Sequence, residues 1–444
     1  MSRIGLIGDN SIEYIEILID IWNNGDCAVL IDWRIPHNIA LKMISEASVC
    51  KCFIDKRLVE RIRDHDISNI EFIQFYGGKD FANVIPEYIY GKYKNNDSSK
   101  EAVILYSSGT TGKSKGVILS HYAINTNANL IAEYMALEDG DCLYIVKTLA
   151  HASTLVGELL VALKKQIKTL LSPTVNNVRQ IIENITTHKV SAICTNPTLL
   201  NLYTLAVNTQ KVSLKGLKTI YTSGAIAEAS LIEKAQKAFP HTEVLNVYGL
   251  SEAGPRVAAQ RRGDISNVKG SVGKPLNKID IAIVSNDGLQ MPKMKKGIIH
   301  VKSPCLFTNY VSGELARKSL YNNYLNTGDI GYMDENNNLM ITGRVDNMVT
   351  VDSHNIYPEE IEILINKNQL VKDCVIIPQK NVSRGNKLLC FYEADKDISY
   401  QLKRICVASL ATYEIPSTFI RVNKIPVNNG KKSRDLNKYI SYIK

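Results

Sequence analysis

The 444-residue sequence lacks any uncharged apolar stretch of about 18 residues, the length that a membrane-spanning helix needs. Its first residues also lack the apolar run of a secretory signal peptide, because Asp9 and Glu13 interrupt them. The nine cysteines form no C-x-x-C pair and have no histidine-rich partner segment. This argues against a zinc site and indicates reduced core cysteines. We therefore expect a cytoplasmic protein without a membrane span.

The sequence also has no low-complexity segment and no strong internal repeat, and its 45% hydrophobic and 22% charged residues are typical of globular proteins. Its net charge is +9, from 53 Lys and Arg against 44 Asp and Glu, and the excess is spread through the chain. A nucleic-acid-binding protein would concentrate basic residues, interleaved with aromatics, on one face. We therefore expect no nucleic-acid partner. A small phosphate-bearing ligand suits this charge better.

Short apolar runs alternate with segments of helical spacing in the first part of the chain. RIGLIG, CAVLID, AVILYS and SAICTN have the pattern of buried strands, and residues 11–22 and 226–238 have helical spacing. The alternation predicts an α/β fold with parallel sheets covered by helices. From about residue 268, strand-like runs between Gly, Asn and Asp turns indicate a β-barrel-like subdomain.

The predicted organisation is a large N-terminal domain and a small C-terminal one. The first covers residues 1–344, with α/β subdomains over 1–267 and a β-rich subdomain over 268–344. The second, residues 345–444, contains a short strand pair, the helical segment YPEEIEILINKN and further strand-like runs. Its length and mixed pattern predict a separate α+β domain.

The segment YSSGTTGKSKG, residues 106–116, is the densest run of small, hydroxylated and basic residues. Its second half matches a Walker phosphate loop, but the required first glycine falls on Ser107, and the apolar KGVILSH follows where a helix should begin. We therefore predict a β-hairpin loop that can wrap a polyphosphate with backbone amides and hydroxyls. A solvated turn without a ligand is the alternative. The candidate contacts are Ser107, Ser108, Gly109, Thr110, Thr111 and Lys115.

Five ordered segments resemble the motifs of the adenylate-forming superfamily, which includes acyl- and aryl-CoA synthetases, nonribosomal adenylation domains and luciferases. They are SSGTTGKSKG, TSGA, NVYGLSEAG, the pair YLNTGD and GRVD, and NGKKSR. The resemblance extends over almost the whole chain. It implies a mobile C-terminal domain and ATP-dependent activation of a carboxylic acid to an acyl-adenylate, with release of pyrophosphate. Transfer to a thiol would follow.

The resemblance also implies roles for individual residues. Glu252 would help to hold Mg²⁺ against the phosphates, and Tyr248 would stack on adenine. Asp329 would accept hydrogen bonds from the ribose hydroxyls, and Arg344 would contact ribose or phosphate. Lys431 would reach the reacting carboxylate and the α-phosphate. The other implied nucleotide-binding positions are Gly224, Ala225, Asn246, Gly249 and Ser251.

The C-terminal segment departs from the family pattern. Asp346 matches the hinge about which the small domain of the family swings. Ser353 replaces the glycine that lets the pantetheine thiol pass in the family, and this puts the thioester step in question. Residues 426–430 are one residue shorter than usual ahead of Lys431. The strands and helix that usually precede IGLIGDNS are also missing, so we expect a compact member.

The stretch LAHASTLVGELL, residues 149–160, bears on the acid. Amino-acid-activating members carry an aspartate in F-D-x-S that pairs with the substrate ammonium, whereas this chain has His151, as acyl- and aryl-acid members do. Burying an unpaired ammonium is costly. We therefore predict an amine-free aryl or medium-chain acyl acid, with His151 in the catalytic set. The acceptor would be CoA or the phosphopantetheine of an acyl carrier protein. An amino-acid adenylation enzyme and a non-catalytic nucleotide-binding relative are the alternatives.

Overall fold

The protein is described here by a computed structural model covering residues 1–61, 70–77, 82–94, 98–107, 115–174, 177–210, 212–313, 320–352, 354–381, 385–428 and 431–442. These residues form two large sheets, a five-stranded antiparallel sheet and a C-terminal group of smaller sheets. The predicted α/β class, with a β-rich part and a small α+β unit at the end, is confirmed.

The first sheet has seven strands. They are β1 (Arg3–Gly8), β2 (Cys27–Asp32), β3 (Lys51–Asp55), β4 (Glu71–Phe75), β6 (Glu101–Ser107), β7 (Lys115–Ser120) and β17 (Asn309–Tyr310), in the spatial order β17-β7-β6-β2-β1-β3-β4. Strands β1 to β4 and β6 run parallel, whereas β7 and β17 are antiparallel to their neighbours. The parallel strands are apolar almost throughout because helices cover the sheet.

The second sheet has eight strands. They are β5 (Asn83–Val84), β8 (Cys142–Ile145), β9 (Lys168–Leu171), β10 (Ala192–Thr195), β11 (Thr219–Thr222), β12 (Glu243–Gly249), β13 (Arg256–Ala259) and β14 (Lys274–Pro275), in the spatial order β14-β13-β12-β11-β10-β8-β9-β5. Strands β8 to β12 are parallel, and the remaining three pair antiparallel.

The helices lie where apolar residues recur at helical spacing. They are α1 (Ile12–Asn23), α2 (His37–Glu46), α3 (Glu87–Lys92), α4 (His121–Met135), α5 (Ala152–Thr154), α6 (Val161–Lys165), α7 (Val178–Thr187), α8 (Pro197–Gln210), α9 (Ala229–Ala238), α10 (Pro358–Asn366) and α11 (Ser399–Ser409). A π-helical segment, Leu155–Leu160, joins α5 to α6. Helix α1 begins after Ser11, whose side chain accepts a hydrogen bond from the amide of Tyr14, as in an N-cap. No helix of the described residues is long and apolar enough to cross a membrane.

Asn10 joins the two large sheets at the carboxyl ends of their parallel strands. Its Nδ2 donates to the carbonyls of Lys147 and Ser172, each at 2.9 Å, and its Oδ1 accepts from the amide of Leu149 at 2.9 Å. Asn10 follows β1, whereas its partners follow β8 and β9. Ligands of open α/β sheets bind beyond the carboxyl ends of the strands. The junction therefore marks the edge where a site is expected.

The third sheet is antiparallel throughout. Its strands are β15 (Asp280–Val284), β16 (Gly297–Lys302), β18 (Leu320–Tyr321), β19 (Tyr324–Met333) and β20 (Leu339–Arg344). It forms most of the predicted β-rich segment. Two short strands of that segment, β14 and β17, extend the second and the first sheet instead, so the segment also ties the large sheets together.

The C-terminal part combines α10 and α11 with short sheets. The strands are β21 (Val349–Val351), β22 (His354–Ile356), β23 (Asp373–Asn381), β24 (Gly385–Glu393), β25 (Thr418–Val422), β26 (Val427–Asn428) and β27 (Lys431–Lys432). It has its own apolar cores, on the two sides of the β23-β24-β25 sheet. Asn366 at the end of α10 donates to Glu228 at the start of α9, with 2.6 Å between Nδ2 and Oε1. This contact joins the C-terminal part to the second sheet.

Candidate active site

Tyr248, Asp329 and Arg344 meet beyond the end of β12. Asp329 and Arg344 are cross-strand partners in the β19–β20 hairpin, and their Oδ1 and Nη1 atoms are 2.5 Å apart. The hydroxyl of Tyr248 donates to the other carboxylate oxygen of Asp329, also at 2.5 Å. Burial and the charge of Asp329 raise the pKa of Tyr248 well above its ordinary value, so the hydroxyl keeps its proton. The structure thus brings three of the predicted nucleotide contacts together.

Glu252, Tyr310 and Lys115 form a second group. Glu252 lies in a single 3-10 turn, Ser251–Ala253, directly after β12, and its Oε1 accepts from the hydroxyl of Tyr310 at 3.0 Å. The ammonium of Lys115 lies over the ring of Tyr310, 5.5 Å from its centroid. Tyr310 was not predicted, because nothing in its sequence surroundings distinguishes it from a core aromatic. It connects the predicted acidic residue to the predicted basic one.

The phosphate-loop prediction falls largely outside the described residues. Ser108, Gly109, Thr110 and Thr111 are not described, and of Ser107 only the backbone is. The strands that flank the loop agree with the prediction, because β6 and β7 pair antiparallel and Ser107 is opposite Lys115. The segment therefore connects two strands of a hairpin, as predicted, and no Walker-type helix follows it.

The predicted adenine-side positions lie at the ends of β11 and β12. Gly224 and Ala225 are exposed immediately after β11. Gly224 has φ +93°, and a Cβ built on it would meet no atom within 4 Å, so the backbone faces open space. At the end of β12, a Cβ on Gly249 would lie 2.0 Å from the carbonyl oxygen of Pro255, which excludes any side chain there. Asn246 is buried within β12, beside Thr222 of β11.

His151 lies against the first sheet. Its side chain is 40% exposed, and its Nε2 is 3.6 Å from Oδ2 of Asp32 at the end of β2. Burial opposes ionisation of Asp32, but the hydrogen bonds and charge of Arg34 outweigh it, so the pKa of Asp32 is lowered. An ionised Asp32 can orient the imidazole of His151. This places His151 between the two large sheets, at the same edge as Asn10.

The predicted hinge residue, Asp346, lies in a 3-10 turn, Val345–Asn347, between β20 and β21. Its Oδ2 is 3.4 Å from Nη2 of Arg344. Ser353 lies outside the described residues. Its neighbour His354 stacks on Tyr413 with ring centroids 3.9 Å apart. The roles of Asp346 and Ser353 stay predictions.

The backbone of Lys431 is described in β27, and its side chain is not. The adjacent Lys432 is engaged: its ammonium is 2.5 Å from Oδ1 of Asp373 and donates to the carbonyl of Cys374 at 2.8 Å. Burial opposes the charge of Lys432, but nearby carboxylates led by Asp373 raise its pKa. The ammonium of Lys432 is thus committed to internal partners, and the role of Lys431 stays a prediction.

Two buried charged residues and one partly buried lysine were not predicted. All three lie close to predicted residues in the sequence. Lys147 is four residues before His151, Glu158 is seven residues after it, and Arg256 is four residues after Glu252. Glu158 and Arg256 are 0% and 2% exposed. Charged residues in single-sequence patterns are normally assigned to the surface, so the pattern gave no signal.

Glu252 is the residue that could hold a metal in this arrangement. One of its carboxylate oxygens accepts from Tyr310, so the carboxylate is fixed while it keeps capacity to bind an oxygen-preferring cation. The described residues contain no group of three or more His, Cys, Asp or Glu that could enclose a metal ion. A cation here would therefore take most of its ligands from phosphate oxygens and water, as Mg²⁺ commonly does with nucleotides.

Comparison with known proteins agrees with this geometry. A family model described as AMP-binding enzyme matches residues 1–311. The chain is 27% identical over 447 residues to a 2-succinylbenzoate–CoA ligase of Bacillus cereus, covering 97% of this chain and 86% of the relative. A Bacillus mycoides protein of the same name is 27% identical over 453 residues, covering 99% of this chain and 89% of the relative.

Solved structures match over nearly the whole chain. ATP-bound MatB from Rhodopseudomonas palustris superposes with a TM-score of 0.87 at 20% identity, covering 100% of this chain and 88% of that one. The anthranilate CoA ligase AuaEII in complex with anthranoyl-AMP gives 0.86 at 19% identity, covering 99% and 87%. At these identities the structures establish a shared fold.

Proposed function

The chain belongs to the family of AMP-binding enzymes and is an AMP-forming acid–thiol ligase, and from that premise we propose that it activates an amine-free carboxylic acid with ATP and transfers the acyl group to CoA. In the first step an oxygen of the acid attacks the α-phosphorus. The bond from that phosphorus to the bridging oxygen breaks, and pyrophosphate leaves. In the second step the CoA sulfur attacks the acyl carbon, the bond to AMP oxygen breaks, and the thiol proton passes to solvent.

The observation that carries the proposal is the contact of Asp329 with both Tyr248 and Arg344. The carboxylate of Asp329 is a charged acceptor, the kind of group to which ribose hydroxyls can donate. Arg344 and Tyr248 hold the carboxylate in one orientation before the nucleotide arrives. Such pre-organisation reduces the ordering cost of binding. The exposed backbone at Gly224, after β11, leaves room for the adenine.

Glu252, Tyr310 and Lys115 would serve the phosphate end. Lys115 supplies positive charge near the position of the departing pyrophosphate, which lowers the cost of charge developing there. Tyr310 fixes the carboxylate of Glu252, which would hold Mg²⁺. When bound, this ion would neutralise phosphate charge. These residues act by positioning and charge, which are the main contributions that proteins make to phosphoryl and nucleotidyl transfer.

We place Lys431 at the reacting carboxylate and the α-phosphate during adenylation. Asp346 is the hinge about which the C-terminal part rotates, so that Lys431 leaves the site and the face used for thiol transfer takes its place. The fixed ion pair of Lys432 supports this assignment of Lys431. Ser353 would lie at the thiol passage. CoA is the acceptor proposed here, in keeping with the CoA ligases among the relatives, and a carrier-protein phosphopantetheine is the second candidate.

Pyrophosphate exchange into ATP, measured with a panel of aryl, acyl and amino acids, tests the adenylation step. Exchange with amine-free acids, followed by a CoA-dependent thioester product, is the expected result. Exchange with amino acids only would instead identify an amino-acid adenylation enzyme. ATP binding without exchange for any acid would identify a non-catalytic relative. Replacing CoA by a phosphopantetheinylated carrier protein distinguishes the two acceptors.

A further inference from the structure

Two buried charged side chains and a partly buried lysine form a group beside the proposed acid-activating site. Lys147 follows β8, Glu158 lies in the π-helical segment, and Arg256 begins β13. The side chains of Lys147 and Glu158 are 13% and 0% exposed, and their Nζ and Oε1 atoms are 3.0 Å apart. Arg256 ranks among the largest fully buried side chains of the described residues. The proposed nucleotide contacts do not use any of the three.

The group does not satisfy its own hydrogen-bonding capacity. Among the residues that the structure describes, neither carboxylate oxygen of Glu158 has a hydrogen-bond partner of adequate geometry, and Nε of Arg256 has none. Unpartnered buried charged atoms are rare and costly, and each needs an explanation such as a catalytic role, a water or a bound ion. A structural ion-pair group would be expected to close its bonds internally. This group keeps donors and acceptors available.

The position of the group connects it to the proposed chemistry. Glu252 lies in the 3-10 turn after β12, and Arg256 begins the next strand, β13, four residues later. The helix that carries Glu158 starts immediately after His151. A Cβ built on Gly157 would be 3.2 Å from Nη2 of Arg256, so the guanidinium packs against the bare backbone of the helix. That backbone is π-helical, a conformation that often accompanies functional sites.

The charges of the group do not balance. Lys147 and Arg256 are two cations, and Glu158 is one anion. Burial raises the pKa of Glu158, an effect that Lys147 opposes, and in either protonation state the cations outnumber the anions. The titratable neighbours described around the group do not add an anion, because burial raises the pKa values of Tyr134 and Cys194 to about 12. A buried surplus of positive charge favours an anionic partner.

We propose that Arg256, assisted by Lys147, forms the far end of the acid-binding site and binds a second anionic group of the substrate, so that the preferred acid is a dicarboxylate. Glu158 holds Lys147 in place, and when it is ionised it limits the excess positive charge of the group to one. The inference rests on the proposed function, because it assumes that the first carboxylate is the one activated. Arg256 is a specificity-determining residue in this scheme, and it takes no part in bond breaking.

The test compares acids matched in size that differ by one carboxylate. Pyrophosphate exchange is measured with succinate, adipate and phthalate against butyrate, hexanoate and benzoate, for the wild type and for Arg256→Met. We expect the wild type to prefer the dicarboxylates, and the variant to lose at least about 100-fold in kcat/KM for them while monocarboxylates gain or are unchanged. Arg262→Met is the matched control, because Arg262 is a half-exposed arginine just beyond the same strand. It should leave the preference intact.

The remaining outcomes overturn the inference. A wild type that prefers the monocarboxylates, or a folded Arg256→Met enzyme that keeps the dicarboxylate preference, rules out the assignment. Exchange with amino acids only would assign Glu158 to an ammonium group instead.

A binding measurement separates this inference from the proposed function. Dicarboxylates should raise the melting temperature without ATP, and Arg256→Met or, if that variant does not fold, Lys147→Met should abolish the rise. If exchange fails for every acid but the Arg256-dependent rise persists, the proposed function fails and the anion site stands. If no dicarboxylate raises the melting temperature of the wild type, the anion site fails.

Discussion

Arg344 contacts Asp329 across the β19–β20 hairpin, with 2.5 Å between Nη1 and Oδ1, although 15 positions separate them in the sequence. The guanidinium also reaches Asp346, at 3.4 Å, in the turn that leads to the C-terminal part. One arginine therefore contacts both the proposed ribose acceptor and the proposed hinge. Loss of either contact should affect nucleotide binding and C-terminal orientation together.

Asp329→Asn removes the charge that Arg344 and the ribose hydroxyls share. We expect the affinity for ATP to fall about 10- to 100-fold, because hydrogen bonds to a charged group contribute roughly 1.5–3 kcal/mol each. Isothermal titration with ATP measures this. Asp280→Asn is the control, since Asp280 is an exposed carboxylate of β15. Unchanged affinity in Asp329→Asn would remove Asp329 from the site.

Tyr248→Phe deletes the hydroxyl that donates to Asp329 and keeps the ring. We expect KM for ATP to rise about 5- to 20-fold with little change in kcat, because the lost hydrogen bond orients a binding group. Tyr248→Ala should raise KM for ATP further than Tyr248→Phe does if the ring stacks on adenine. The control is Tyr203→Phe, at a buried tyrosine of α8 that is not among the predicted site residues. Equal effects of Phe and Ala at position 248 would argue against stacking.

Lys431→Ala and Lys432→Ala form a matched pair. Lys431→Ala should slow adenylation at least about 100-fold and leave the melting temperature unchanged, because it removes charge from the reacting phosphate. Lys432→Ala should leave adenylation nearly intact and lower the stability by about 1–3 kcal/mol, since it unpairs Asp373. Single-turnover adenylation and urea unfolding report the two effects. The opposite pattern would exchange the roles of the two lysines.

Ser353→Gly tests the departure at the thiol passage. If the side chain narrows that passage, the variant should form thioester from preformed adenylate and CoA several-fold faster than the wild type. The adenylation half-reaction serves as an internal control and should not change. An equal thioester rate in both proteins would show that the serine does not obstruct the thiol.

Glu228→Gln tests the contact between α9 and α10 through its pH dependence. Burial raises the pKa of Glu228, opposed mainly by Lys432. An acid whose pKa rises on folding stabilises the fold fully below its ordinary pKa of 4.5, and this contribution declines as pH rises through the raised value. Urea unfolding at a series of pH values should therefore show that the free energy of unfolding of the variant increases relative to that of the wild type as the pH rises. A difference in stability that stays constant with pH would contradict this.

The predictable parts of the fold are those with strong local periodicity. The hairpin of β6 and β7 follows from two apolar runs around a polar loop, and α1 follows from its spacing and its Ser11 cap. The second predicted helix began too early: residues 226–228 precede α9, which starts at Ala229. Ala227 is buried instead, and Glu228 has an extended backbone, which a local pattern cannot show.

Candidate site residues could be proposed from the sequence where they belong to a motif. Residues that only the packing brings to the same region could not. The pairing of Asp329 with Arg344 depends on the register of β19 and β20, which shifts between Ile330 and Gly331. Arg256 stands in the run PRVAA, where its charge indicates a surface position although the side chain is buried. Burial of this kind comes from elements distant in sequence, so one chain read alone does not reveal it.

The junction that Asn10 forms between the two large sheets affects how the substrate of this protein could change in evolution. Its three hydrogen bonds, each 2.9 Å, tie the end of β1 to the segments after β8 and β9. Sliding of one sheet against the other would break all three hydrogen bonds at once, so the junction between the sheets is expected to be rigid. A new acid would then have to be accommodated by exchanging individual side chains. Specificity in such a scaffold should therefore evolve in single-substitution steps, with the backbone left in place.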